Sequence, residues 1–165
     1  MKNIISFILL TSFYSCNTNN NMTIEPIDKE FNEQLLTGKG LDSNLFSTKE
    51  IIQYYKIGNY EELKAEEFTL KLNQFIIENY KFNDIKDKKY FALLFYKNEI
   101  SADYNKYLYE SARDNQNGYL ENYNENLVLK IRLKAKSDLN KVKSQISFYQ
   151  KNKYEKEYNN NITLE

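Results

Sequence analysis

The chain has 165 residues, 41% of them apolar and 28% charged, with 23 basic side chains against 23 acidic ones. That length and balance predict one ordinary globular domain with its own core, and argue against both a disordered chain and a strongly basic nucleic-acid binder. Histidine is absent and cysteine occurs once, which removes Ser-His-Asp and Cys-His nucleophilic devices, the commonest zinc ligand and any intramolecular disulfide.

Lys2 and Asn3 precede an apolar run from Ile4 to Leu10, too short to span a bilayer and matching the charged start and apolar centre of an export signal. Phe13-Tyr14-Ser15-Cys16 follows, a small residue directly before a lone cysteine, and this segment resembles the lipobox of bacterial lipoproteins. The resemblance implies cleavage before Cys16, acylation of the Cys16 thiol, and attachment to a membrane of the bacterial cell envelope on its periplasmic or cell-surface side. Residues 1–15 are then a signal peptide. Residues 16–26, opening with Asn17-Thr18-Asn19-Asn20-Asn21, read as a flexible tether to a single domain over 27–158.

Within the body, Pro26 and Asp28 open a short helix that closes before Gly38, with Phe31, Leu35 and Leu36 on one face. Ser47-Thr48-Lys49-Glu50 has the capping-box pattern and predicts a helix to about Lys56. Asn59-Tyr60-Glu61-Glu62 offers another start, followed by a stripe of Phe68, Leu72, Phe75, Ile76 and Tyr80. From Lys86 to Arg113 the residues Tyr90, Leu93, Leu94, Ile100, Tyr104, Tyr107 and Leu108 recur at helical spacing. After a break at 114–118, Leu120, Tyr123, Leu127, Ile131, Ala135, Leu139, Val142, Ile146 and Tyr149 do the same. Lys151 to Glu157 alternates in sign and reads as a solvated helix end leading to a polar tail over 159–165.

These periods predict a mainly α fold, a bundle of four or five helices. The alternative is an α+β domain with a small antiparallel sheet from about 89–97 and 126–135, because Phe91, Leu93 and Phe95 alternate, as do Leu127, Leu129, Ile131, Leu133 and Ala135. The bundle is favoured by the scarcity of turn formers, four glycines and one proline, and by the small number of valines.

Chemical motifs are sparse. No Gly-rich phosphate loop or calcium-loop spacing occurs, so no cofactor and no metal are expected. Glu61, Glu62, Glu66 and Glu67 could supply a carboxylate pair for hydrolysis, but acids at a helix start ordinarily complement the dipole. Among the 15 tyrosines, Tyr104, Tyr107 and Tyr109 form a candidate ligand or partner surface.

Three functions follow. The first is a non-enzymatic module, anchored to the membrane through Cys16, that binds another envelope protein as an assembly factor, adaptor or immunity-type inhibitor. The second is an envelope ligand- or glycan-binding lipoprotein, and the third a carboxylate-dependent hydrolase. A concave, aromatic-lined pocket of several hundred cubic ångströms favours the second.

Overall fold

The computed structural model describes residues 21–40, 49–97, 126–136, 140–150 and 153–165. Its elements in chain order are β1 (Thr23–Pro26), α1 (Lys29–Thr37), β2 (Glu50–Gly58), α2 (Ala65–Asn79), α3 (Phe82–Ile85), β3 (Tyr90–Lys97), β4 (Leu127–Ala135), β5 (Lys141–Gln150) and β6 (Lys153–Thr163). The expected helical bundle is not what forms: the strands make one six-stranded mixed sheet in the order β1-β2-β3-β4-β5-β6, and among the described residues three short helices accompany it. β2 and β3 are parallel, joined by a crossover through α2 and α3, and every other pair is antiparallel.

The reason lies in the two faces of β2 and β3. Ile51, Tyr55 and Ile57 of β2, with Phe91, Leu93 and Phe95 of β3, pack in the core beneath α2, together with Phe68, Leu72 and Ile76 of that helix. The intervening Tyr54 and Tyr96 join Phe31 and Leu35 of α1 in a second cluster, against which Ile52 and Leu94 pack. Strands covered on both sides become continuous apolar runs, which satisfy a helical period as readily as a strand period. The Ser47-to-Glu50 capping pattern therefore precedes a strand, and the helical stripe proposed from Tyr90 to Leu94 is part of β3.

β4 and β5 overturn the long helix proposed from Leu120 to Tyr149. Leu129, Ile131 and Leu133 lie opposite Phe95, Leu93 and Phe91 of β3, and Phe148, Ile146 and Ser144 continue the row on β5. The two strands of the α+β alternative, 89–97 and 126–135, coincide with β3 and β4 and pair antiparallel. The sheet they belong to is larger than that alternative and is not purely antiparallel.

Two helices match the sequence patterns. Asp28 caps α1, accepting from Phe31 N at 2.9 Å, and Gly38 ends it at φ 71°, its N–H bonded to Gln34 O, a left-handed conformation that glycine adopts without a Cβ clash. In α2 the buried residues are Phe68, Leu72 and Ile76, but the helix begins at Ala65, because Asn59 sits at φ 55° and turns the chain out of β2. Asparagine tolerates that conformation better than most residues.

The sheet edges are short or charged. β1 ends at Pro26, and the freed edge of β2 is completed by a side chain: Asn32 Nδ2 donates to Tyr54 O at 3.0 Å while Tyr54 N donates to Asn32 Oδ1 at 3.1 Å. At the other edge, the residues expected to fray into a tail form β6 through Thr163. Leu164 N donates to Asn140 O and Phe82 N to Glu165 O, both at 3.0 Å, and Ile162 and Leu164 are buried. The exposed Lys153, Glu155, Lys156 and Glu157 of β6 suit an edge that must not recruit another strand.

A buried polar chain crosses this core. Tyr55 and Tyr80 hydroxyls meet at 2.5 Å, Tyr80 donates to Gln53 Oε1 at 2.6 Å, and Gln53 Nε2 donates to Asn32 O at 2.7 Å. Side chains of β2 and of Tyr80, the residue that caps α2, are thereby tied to the main chain of α1. Burial pushes the Tyr80 hydroxyl well above the ordinary tyrosine range, with Tyr55 and then Asp84 adding to the effect. Burial also raises Tyr55, against the lowering effect of its hydrogen bond with Tyr80.

Candidate functional site

A cleft of about 470 Å³ opens where the parallel strands β2 and β3 end and α2 begins. Its volume lies within the range of small-molecule sites, and its position outside the carboxyl ends of parallel strands is where open α/β sheets commonly bind ligands. Tyr60, Glu61 and Leu63 of the β2–α2 connection form one wall with Ala65 and Phe68 of α2; Lys97 of β3 and Leu127 and Val128 of β4 contribute from the sheet. Phe148, Tyr149 and Gln150 of β5, with Glu155 and Lys156 of β6, complete the lining.

Aromatic contacts fix the shape of the wall. Tyr60 stacks on Phe68 at 5.6 Å between ring centroids, Phe68 meets Phe148 at 5.4 Å, and Phe148 meets Tyr158 edge-on at 5.7 Å. Lys156 Nζ lies 5.5 Å from the Phe148 ring centroid and 5.7 Å from that of Tyr158, so its ammonium is held at the rim by ring quadrupoles. Phe68 and Phe148 are buried, whereas Tyr60 and Tyr149 are half-buried, Tyr60 packing against the core beneath α2 and Tyr149 against the second cluster, so that they border the cleft from the two faces of the sheet.

Two β-bulges shape the same end of the sheet. Phe95 pairs with Leu129 and Tyr96 with Leu127, which leaves Val128 as the extra residue of β4. Phe148 pairs with Lys156 and Tyr149 with Tyr154, which leaves Glu155 as the extra residue of β6. Both extra residues line the cleft. Bulges re-aim side chains and bend a sheet locally, and they concentrate beside binding sites.

The charged lining residues are Glu61 and Glu155 against Lys97 and Lys156, so the cleft carries no net charge. Glu61 Oε2 accepts from Tyr60 N at 3.1 Å, and both carboxylates are exposed to solvent. Exposed carboxylates of this kind are open to accept hydrogen bonds from a ligand.

Of the candidate site residues read from the sequence, Glu61 is, among the described residues, the one that reaches the cleft lining. Glu67 pairs with Lys71 at 3.9 Å along α2, and Glu66 is exposed in the same first turn. Cys16, Tyr104, Tyr107 and Tyr109 lie outside the described residues. Tyr60, Phe68, Lys97, Phe148, Tyr149 and Lys156 were not identifiable as site residues from local pattern, because they converge only when β5 and β6 fold back beside the β2–α2 connection.

Among the described residues no group of three or more acidic, histidine or cysteine side chains is placed to hold a metal ion. No described helix is long and apolar enough to cross a membrane. Comparison of the chain with protein-family models, with curated proteins and with solved structures finds no match.

Proposed function

We propose that this chain is a ligand-binding envelope lipoprotein, anchored by acylation at Cys16, whose cleft takes a neutral, hydroxyl-rich molecule such as a glycan fragment. The observation that carries this reading is the cleft's composition. Tyr60 and Tyr149 are half-buried rings that can stack on an apolar sugar face, and the balanced pairs Glu61 with Glu155 and Lys97 with Lys156 supply acceptors and donors without favouring either sign of charge. A ligand with many hydroxyls uses both kinds of group, and rings with two rotatable angles lose little entropy on binding it.

Calorimetric titration with a panel of neutral, acidic and amino-substituted oligosaccharides tests the reading. A neutral oligosaccharide should bind, and Tyr149→Ala and Lys97→Ala should each weaken it while the melting temperature stays close to that of the parent. Selective binding of a charged sugar, or binding that neither substitution alters, would count against it.

A further inference from the structure

Strand alternation gathers cations on one face of β4 and β5. Lys130, Arg132 and Lys134 on β4, with Lys141 and Lys143 on β5, share the sheet face opposite α2, because their neighbours Leu129, Ile131, Leu133, Val142 and Ile146 face that helix. Neither β4 nor β5 contains an acidic residue, and four of these cations are exposed, Lys130 being half-buried. Lys134 and Lys143 lie directly opposite one another, an arrangement that costs stability in an isolated sheet. Lys130 and Arg132 converge on one ring, at 5.8 and 5.1 Å from the Tyr90 centroid. The acids beside this face are engaged: Glu157 accepts from Gln145 and Asn159, both at 2.8 Å, and Glu50 pairs with Lys89 at 3.1 Å. Glu157 of β6, opposite Ser147, also feels the charge of Lys143, so this one acid offsets part of a face on which the five cations predominate.

From this geometry we propose that the cationic face of β4 and β5 docks on the anionic phospholipid surface of the membrane to which the chain is tethered. Charge complementarity selects an anionic occupant, since like charges placed side by side gain most from a surface of fixed opposite charge. The tether selects the bilayer among anionic occupants. From Cys16 to the start of β1 at Thr23 the chain reaches at most about 25 Å when fully extended, so a lipid on Cys16 keeps the domain within contact distance. The cations cluster toward the end of β4 and the start of β5, whereas the cleft is lined by the start of β4 and the end of β5. Docking therefore leaves the cleft open. The proposal uses the anchoring half of the function proposed above and is independent of what the cleft binds.

The test is co-sedimentation of the full chain carrying Cys16→Ala with vesicles of phosphatidylcholine alone and of phosphatidylcholine mixed with phosphatidylglycerol. Neutral vesicles report any insertion by the apolar run at Ile4 to Leu10, and the difference between the two reports the cationic face. Binding should be selective for the mixed vesicles and should disappear when salt shortens the screening length to about 3 Å. Lys134→Gln with Lys143→Gln should weaken it about 25-fold, at roughly fivefold per cation. The same pair removes a repulsion, so its melting temperature should rise, which separates lost docking from lost folding. Equal binding to both vesicle types, salt-insensitive binding, or an unchanged double variant would overturn the proposal. So would a DNA duplex that strips the protein from the mixed vesicles, because the face would then be a nucleic-acid site.

Discussion

Val128 and Glu155 stand on strands separated by β5, yet each is the unpaired extra residue of a β-bulge and both border one cleft. Two departures from regular pairing at the same end of a sheet widen that end and turn side chains that would otherwise continue the ladder. The cleft is thus a consequence of sheet geometry as well as of the residues that line it.

Deleting Glu155 should therefore separate binding from folding. Without the extra residue the ladder runs regularly from the Phe148–Lys156 pair to the Tyr149–Tyr154 pair, so the local bend is lost, and with it the Glu155 carboxylate that lines the cleft. The affected stretch is the exposed start of an edge strand, so stability should change little. Affinity for the cleft ligand should fall about tenfold, equivalent to about 1.4 kcal/mol. Calorimetry beside a thermal melt of the deletion variant checks both halves.

Tyr80→Phe should be among the more damaging conservative substitutions. It removes the hydroxyl that joins Tyr55 to Gln53 Oε1 and strands a buried amide oxygen. The expected loss is about 2 kcal/mol, from the usual cost of leaving a buried polar group unsatisfied. Urea denaturation should show a lower midpoint with an unchanged slope.

The same pair gives the fold an alkaline limit. Tyr55 and Tyr80 both titrate above the ordinary value of 10.0 in the folded protein, so the native state holds protons that the unfolded chain gives up. Their contribution is fully present below pH 10 and declines as pH rises from there through the raised folded values. Denaturation curves taken on both sides of pH 10 should show that decline, and Tyr55→Phe with Tyr80→Phe should flatten it while lowering stability at neutral pH.

What the sequence disclosed follows from how one-sided each element is. α1 and α2 bury a single stripe, and Asp28, Gly38, Phe68, Leu72 and Ile76 carry recognisable signals. β4 alternates, and its strand pattern was visible in Leu129, Ile131 and Leu133. β2 and β3 are covered on both faces, so Ile51 to Ile57 offers no period that distinguishes strand from helix, and the alternation of Phe91, Leu93 and Phe95 is blurred by the apolar Ala92, Leu94 and Tyr96 between them. β6 misleads for the opposite reason: an edge strand of Lys, Glu and Asn carries the composition of a tail, and only Ile162 and Leu164 betray its burial. The cleft was the least legible part, since Tyr60 and Phe148 come together through topology alone.

Ser144 offers a substitution in the stabilising direction. Its hydroxyl is buried without a hydrogen-bond partner, between Val142 and Ile146 along β5 and between Leu133 and Asn160 across the sheet. Ser144→Ala removes the cost of that desolvated hydroxyl and should raise stability by about 1 kcal/mol, measured as an upward shift of the denaturation midpoint.

The most direct test of the ligand-binding account is ring-selective NMR of the tyrosine-labelled protein, titrated with the oligosaccharide that binds most tightly in calorimetry. The account predicts that the ring signals of Tyr60 and Tyr149 shift in proportion to occupancy, while those of Tyr55 and Tyr80, sealed in the core, stay in place. Shifts confined to Tyr90 on the opposite face, or saturable binding that leaves Tyr60 and Tyr149 unmoved, would contradict it.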